Sequence, residues 1–366
     1  MQSVKDIINR SYLGVFMKKL LTRMSPLAPD TSGACSVLYE LGGITVICDA
    51  GGCAGNVCGF DEPRWFTKRS ALFSAGLRDM DAILGRDDML VKKLKAVCEQ
   101  VSGEFTAIIG TPVPAVIATD MHALERMSEK QTGIPCIAID TNGTSHYDKG
   151  EEKAYLRIFG TFSEDNCTPN PNKLGIIGAT PLDLGTITAD LLRSTAKNER
   201  FSEIITFGMD SGIEEIRAAA SCGEILCISP AAVPAAKLLQ KKFGTPYSVG
   251  FPLIPPRIIR EAETLQAEST LIIHQQFAAN AVRNALSENK SVTVASWFSM
   301  LSEYMHENDF HIRDEEMLIQ ESEKYDLIIA DPVLKRVLRD YKGKWIDYPH
   351  FAVSGKLLSE DFYADT

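Results

Sequence analysis

Four of the nine cysteines, Cys35, Cys48, Cys53 and Cys58, fall within 24 residues of the segment PDTSGACSVLYELGGITVICDAGGCAGNVCGFDEPRW (29–65). Cys48 lies in a predicted strand, ITVICD (44–49), and Cys53 stands in the glycine-rich loop DAGGCAG. Cys58 follows five residues later, before Asp61-Glu62-Pro63, which reads as a helix start. Thiolates converging from flexible backbone are what an iron–sulfur cluster needs. Glycines let the chain turn close to a bulky inorganic core and leave N–H groups to hydrogen-bond its sulfurs. A structural zinc site is the second reading, but its ligands usually come as C-x₂₋₄-C pairs in small knuckles. Here Cys48-x₄-Cys53-x₄-Cys58 grows out of a buried strand. Packed thiols without a ligand are the third reading.

Other chemistry-bearing residues are scattered. Arg64 and Trp65 follow the cysteine loop and are placed either to tune a cluster or line a cavity, or to start a helix with a packed indole. His146 follows an Asn142-Gly143 turn; it is a candidate proton donor to an inter-domain cavity, or a surface-loop histidine. His274 reads as a helix residue at a packing surface, and His350 lies in a Pro-His turn. Cys98, Cys136, Cys222 and Cys227 read as buried small hydrophobes, and Cys167 as a linker thiol. No G-x-x-x-x-G-K-[ST] loop occurs, and GGCAG lacks the dinucleotide spacing, so the sequence supports no nucleotide site.

The elements that must position these residues alternate. Short β-branched runs at 44–49, 106–110, 134–140, 173–179, 203–208, 224–229, 291–297 and 326–331 read as strands. Amphipathic stretches at 87–102, 120–132, 183–196, 231–243, 259–287 and 313–323 read as helices between them. Such alternation implies parallel sheets covered on both faces, with chemistry at the carboxyl ends of the strands. Turn-rich stretches at 164–173 and 247–259 divide the chain near residues 165 and 258, giving domains 1–165, 166–258 and 259–366. Residues 1–21 read as an amphipathic helix rather than a targeting segment.

Composition narrows the setting. The net charge of −10, without a Lys/Arg block, argues against nucleic acid. No run of about 18 apolar residues supports a membrane span. Nine cysteines without an export signal imply a reducing, cytoplasmic compartment.

The run from Gly33 to Cys53 resembles the cluster-binding region of the nitrogenase component 1 family. That family includes molybdenum–iron protein subunits, cofactor-assembly relatives, and dark-operative protochlorophyllide and chlorophyllide reductases. DEPRW (61–65), LRDMDAILGRDDMLVKKLKAV (77–97), the 110–140 stretch, TNG (141–143), YDLIIADPV (325–333) and PHFAVSG (349–355) are also similar to it. The resemblance implies three Rossmann-like α/β domains and an anaerobic iron–sulfur protein with a [4Fe–4S]-type cluster at a subunit interface. It further implies a dimer with an identical or paralogous chain, and electrons from a separate ATP-dependent iron-protein-like reductase. The family supplies an upstream cysteine, a Gly-Cys and a third cysteine after a later strand. Cys53 matches the Gly-Cys, and Cys35 is the upstream candidate, closer than usual. The third position falls in Gly110-Thr111-Pro112, which has no thiol, so Cys58 and Cys48, with Asp30 as a carboxylate ligand, complete the candidate set. Nothing matches the cysteine and histidine that hold the nitrogenase cofactor. Reduction of another small molecule or a tetrapyrrole, with room for a second metal cofactor, is therefore the expectation. A non-catalytic scaffold for cofactor assembly is the alternative, and a metal-free receptor of periplasmic architecture the third.

Overall fold

In the computed structural model, residues 21–165, 167–286, 291–357 and 360–363 are described. The helix expected over residues 1–21 falls, but for its last residue, outside them.

The first unit holds β1 (Ile44–Ile47), β2 (Ala71–Ser74), β3 (Thr106–Ile109) and β4 (Cys136–Ile139), all parallel, in the order β2-β1-β3-β4. β1, β3 and β4 are buried at every residue, which is why their sequences are continuous apolar runs rather than alternating ones. Ile47, Ala107, Ile109, Ile137 and Ile139 face the main core. Ile44, Val46, Ile108 and Ala138 face the other side, against Leu90, Val91, Leu94 and Leu124.

The second unit holds β5 (Asn170–Ile177), β6 (Glu203–Thr206), β7 (Cys222–Cys227) and β8 (Tyr247–Val249), in the order β6-β5-β7-β8. The third holds β9 (Ser269–Ile273), β10 (Ser291–Ser296), β11 (Phe310–His311), β12 (Leu327–Ala330) and β13 (Lys344–Asp347), in the order β11-β10-β9-β12-β13. Every pairing in these two sheets is also parallel.

The helix expected over 259–287 is wrong. Two helices, Pro256–Leu265 and Gln276–Ala285, flank β9, the central strand of the third sheet. The apolar run Ser269–Ile273 had been absorbed into the helical pattern around it. His274 accordingly follows a strand end and is buried, not helical.

Two helices organise the junction: α1 (Asp30–Leu38) and α2 (Tyr147–Phe162). Their backbones nearly touch: a Cβ on Gly33 would sit 1.9 Å from the Tyr147 carbonyl oxygen, and one on Gly150 would sit 1.7 Å from that of Asp30. Only glycine permits this approach. α2 then reaches all three units. Phe162 packs on Phe105 of the first (5.4 Å between centroids), Phe159 on Phe207 of the second (5.1 Å) and Tyr147 on Phe298 of the third (4.7 Å). The segment before α1 is tied to the third unit: the backbone N–H groups of Thr22, Arg23 and Met24 donate to the Glu315 carboxylate, and Ala28 N–H to the Ala352 carbonyl. Among the described residues, no helix is long and apolar enough to cross a membrane.

Candidate functional site

The cysteine loop leaves the carboxyl end of β1. Gly51 takes φ +118°, open to glycine, and starts a short helix, Gly52–Asn56, continued by a wider turn, Val57–Asp61. Carboxylates pin this loop. Asp49 accepts from Ala54 N–H (2.8 Å) and Ser74 Oγ (2.5 Å), and Asp61 accepts from Ser32 Oγ (2.6 Å) and Asn56 Nδ2 (2.8 Å).

The four thiols do not meet. Cys35 is buried on α1, and Cys58 lies near enough that its charge, after burial and Glu62, raises the Cys35 thiol further. Cys53 and Cys58 are half-buried, and burial together with Asp49 and Glu62, respectively, raises both. Cys48 points away. Strand alternation carries it onto the face of Ile44 and Val46, where burial, Asp87 and Asp49 push it up to about 12. Among the described residues, no three His, Cys, Asp or Glu side chains stand together in an arrangement that could hold a metal ion.

The other candidates take structural positions. Asp30 is fully buried and its two oxygens accept the N–H groups of Asn142 and Gly143 (2.9 and 2.7 Å), so it clamps the turn after β4. Arg64 is buried and saturated: it donates to Glu62, Glu40, the Ser36 carbonyl and the Gly208 carbonyl, tying the loop to α1 and to the second unit. Trp65 next to it is exposed. His146 lines a cleft of about 460 Å³ between the first and third units, its ring edge-on to Phe298 at 5.7 Å.

Cys35 and Cys53 sit on the main-core side of the sheet and Cys58 lies near Cys35, with carboxylates close by, which disfavours bare thiolates and favours a positively charged guest. They make an incomplete set within one chain. Phe60 (75% exposed), Phe66 (76%) and Val116 (83%), in segments after the carboxyl ends of β1 and β3, leave apolar surface open. Among the described residues the donors do not by themselves enclose a cluster.

Comparison with known proteins settles the family. The profile described as "Nitrogenase component 1 type Oxidoreductase" matches residues 32–286, more than half of the chain. The chain belongs to that family. Two solved structures of "Nitrogenase Cp1", at pH 6.5 and pH 5, share its fold at 13% identity, with TM-scores of 0.66 and 0.67. They match 92% and 91% of this chain and 89% and 85% of theirs. No curated protein matches the sequence.

One group in this component 1-type chain escaped the sequence reading. Where α2 meets the second and third units, Asp183 Oδ1 accepts from Tyr147 Oη (2.5 Å) and lies 2.9 Å from His350 Nε2. Glu151 Oε1 accepts from Thr180 Oγ1 (2.5 Å), and His274 stacks between Tyr348 and His350 at 4.2 Å from each. All of these side chains are buried. They are spread from residue 147 to residue 350, so no local spacing announces them.

Proposed function

We propose that this chain is the iron–sulfur subunit of a nitrogenase-like reductase, with Cys35, Cys53 and Cys58 holding one side of a [4Fe–4S]-type cluster at a subunit contact. When bound, the cluster supplies one-electron transfer at low potential. The chain's part is to hold thiolates at fixed spacing, keep water from the buried Cys35 side, and separate donor from acceptor. A separate ATP-dependent iron-protein-like reductase delivers the electrons. A second copy or a paralogous subunit covers the exposed apolar side chains around the loop. The acceptor, a small molecule or tetrapyrrole, occupies the cleft lined by His146, Trp297 and Phe298. The domains divide near residues 165 and 258, the setting is cytoplasmic and anaerobic, and Cys48, Asp30 and Arg64 serve structure rather than the cluster.

The observation that carries this reading is the cysteine loop at the carboxyl end of β1, which brings Cys58 near the buried Cys35 and leaves Phe60 exposed, in a chain of this oxidoreductase family. Anaerobic purification with iron and sulfide quantification and EPR of the reduced sample tests it. Iron, sulfide and a reduced-cluster signal are expected, all lost in Cys53→Ala. Iron-free protein with stoichiometric zinc, or a full cluster in Cys53→Ala, would overturn it. An assembly scaffold is the second reading, favoured by the surface exposure of Cys53 and Cys58, which suits handing a cluster on. It predicts cluster transfer to an acceptor protein and no turnover with any reductant.

A further inference from the structure

We propose that the carboxyl pair Glu151 and Asp183 is a proton store at the junction of the three units, exchanging with solvent through Asp148 in the cleft beside it. Two carboxyl groups are buried here, and neither is ion-paired with Lys or Arg among the described residues. Two carboxylates in a site this dry cannot both ionise. Their second oxygens, Asp183 Oδ2 and Glu151 Oε2, have no hydrogen-bond partner, although burial alone leaves such an atom strongly destabilised. A proton on such an oxygen removes the charge that burial penalises. Tyr348 Oη, His274 Nδ1 and His350 Nδ1 in the same junction are also without hydrogen-bond partners.

The groups facing the pair come from every element packed on it. α2 contributes Tyr147, Asp148 and Tyr155, the third unit His274, Tyr348 and His350, with Asp331 and Tyr363 behind them, and the cysteine loop Arg64. Arg64 alone is a fixed cation, and it is already saturated by Glu62 and Glu40. Burial, followed by the charge of Asp183, holds Glu151 well above the ordinary carboxylate range, and burial raises Asp183. Burial keeps both histidines neutral, His350 down to about 4. The store is therefore carboxylic acid, not imidazolium.

A route to solvent is built in. His274, His350, Trp297 and Phe298 line a small void, and Trp297 and Phe298 also wall the 460 Å³ cleft. Asp148 lines that cleft, held through Oδ2 by Ser299 while its Oδ1 has no partner. In each exchange one carboxylic O–H breaks, the proton passes along imidazole or water to the cleft, and solvent restores it. No electron moves. Use of these protons in a reduction rests on the function proposed above; the store itself does not.

Infrared difference spectroscopy of the purified full-length protein tests the store without any substrate and whether or not iron is bound. Wild type should show protonated-carboxyl C=O absorption at pH 6 that shifts in D₂O and declines as pH rises through neutrality. Glu151→Gln and Asp183→Asn should each remove part of that absorption. Asp148→Asn should leave the absorption intact but slow its H/D exchange by about tenfold or more, the scale of a lost proton-transfer group. A purely structural role would not change that exchange rate. Absence of the absorption in wild type at pH 6 overturns the store, and wild-type exchange in Asp148→Asn overturns the route. If Asp183→Asn does not fold, Glu151→Gln and Asp148→Asn decide. Iron-free protein that still passes both tests would refute the reductase reading alone.

Discussion

Gly150→Ala should be the most damaging single-methyl change in the chain. The added Cβ would meet the Asp30 carbonyl oxygen at 1.7 Å and the Ala34 nitrogen at 2.9 Å, all backbone atoms that no rotamer change can move. Restoring ordinary contact requires α1 and α2 to part by more than an ångström. That separation loosens Ala34, Val37, Ala154 and Tyr155, each at 1% exposure or less. Overpacking usually costs roughly 1–3 kcal/mol, and a clash between two helix backbones belongs at or above the top of that range, so about 3–4 kcal/mol is expected. At about 2.1 cal/mol/K of unfolding entropy per residue, a chain of 366 residues should lose about 4–5 °C of melting temperature. Gly33→Ala, 1.9 Å from the Tyr147 carbonyl at the same crossing, should act alike, and the double variant should lose less than the sum. Gly55→Ala, with open space around it in the cysteine loop, should change stability by about 0.5 kcal/mol or less. Differential scanning fluorimetry and urea unfolding followed by circular dichroism make the comparison. Because Cys35 rides on α1, bound iron per chain should drop in Gly150→Ala and stay unchanged in Gly55→Ala. A Gly150→Ala protein melting within about 2 °C of wild type would refute the reasoning.

Cys48→Ala should retain the full iron content, since that thiol faces the opposite side of the sheet, and should cost roughly 1 kcal/mol of packing, measurable by urea unfolding. Arg64→Met strands Glu62 without its buried counter-charge, while Glu40 keeps Lys68; a loss of about 3 kcal/mol is expected, and Arg64→Lys should not rescue it because one ammonium cannot serve the whole set of acceptors. Glu151 and Asp183 keep protons in the folded chain that the unfolded chain has already released, so their contribution is present in acid and lost as pH rises through neutrality. Wild type should therefore lose stability from pH 6 to pH 8 in thermal melts, and Glu151→Gln should flatten that slope.

The inner strands were legible because buried parallel strands read as unbroken apolar runs, as in Ile44–Ile47 and Leu327–Ala330, whereas the part-exposed edge strands β2, β8, β11 and β13 were not. β9 was not, since Ser269–Ile273 sits between two amphipathic helices separated from it by few residues and no proline or glycine. α2 was missed although Tyr147, Ala154, Tyr155, Ile158, Phe159 and Phe162 keep helical spacing and Lys149, Glu152, Lys153 and Arg157 leave a polar face between them. The cysteine loop stood out by composition, but composition says nothing of direction. The period-two alternation of Ile44, Val46 and Cys48 did carry the signal that Cys48 turns away from Cys35. Arg64 drew notice as a charge beside the loop, and only the fold revealed that Glu62, Glu40 and two carbonyls consume it. The Glu151–Asp183 junction left no trace, because its members meet only once three separate units are assembled.

The anchoring of residues 22–28 on Glu315 and Ala352 makes the polypeptide a ring in mechanical terms. The opening segment fastens the last unit to the first, so the three lobes are not beads on a string. Pulling the terminal lobe away must peel that strap before any cleft can gape, and a fragment ending at the second lobe would leave the strap with nothing to grip.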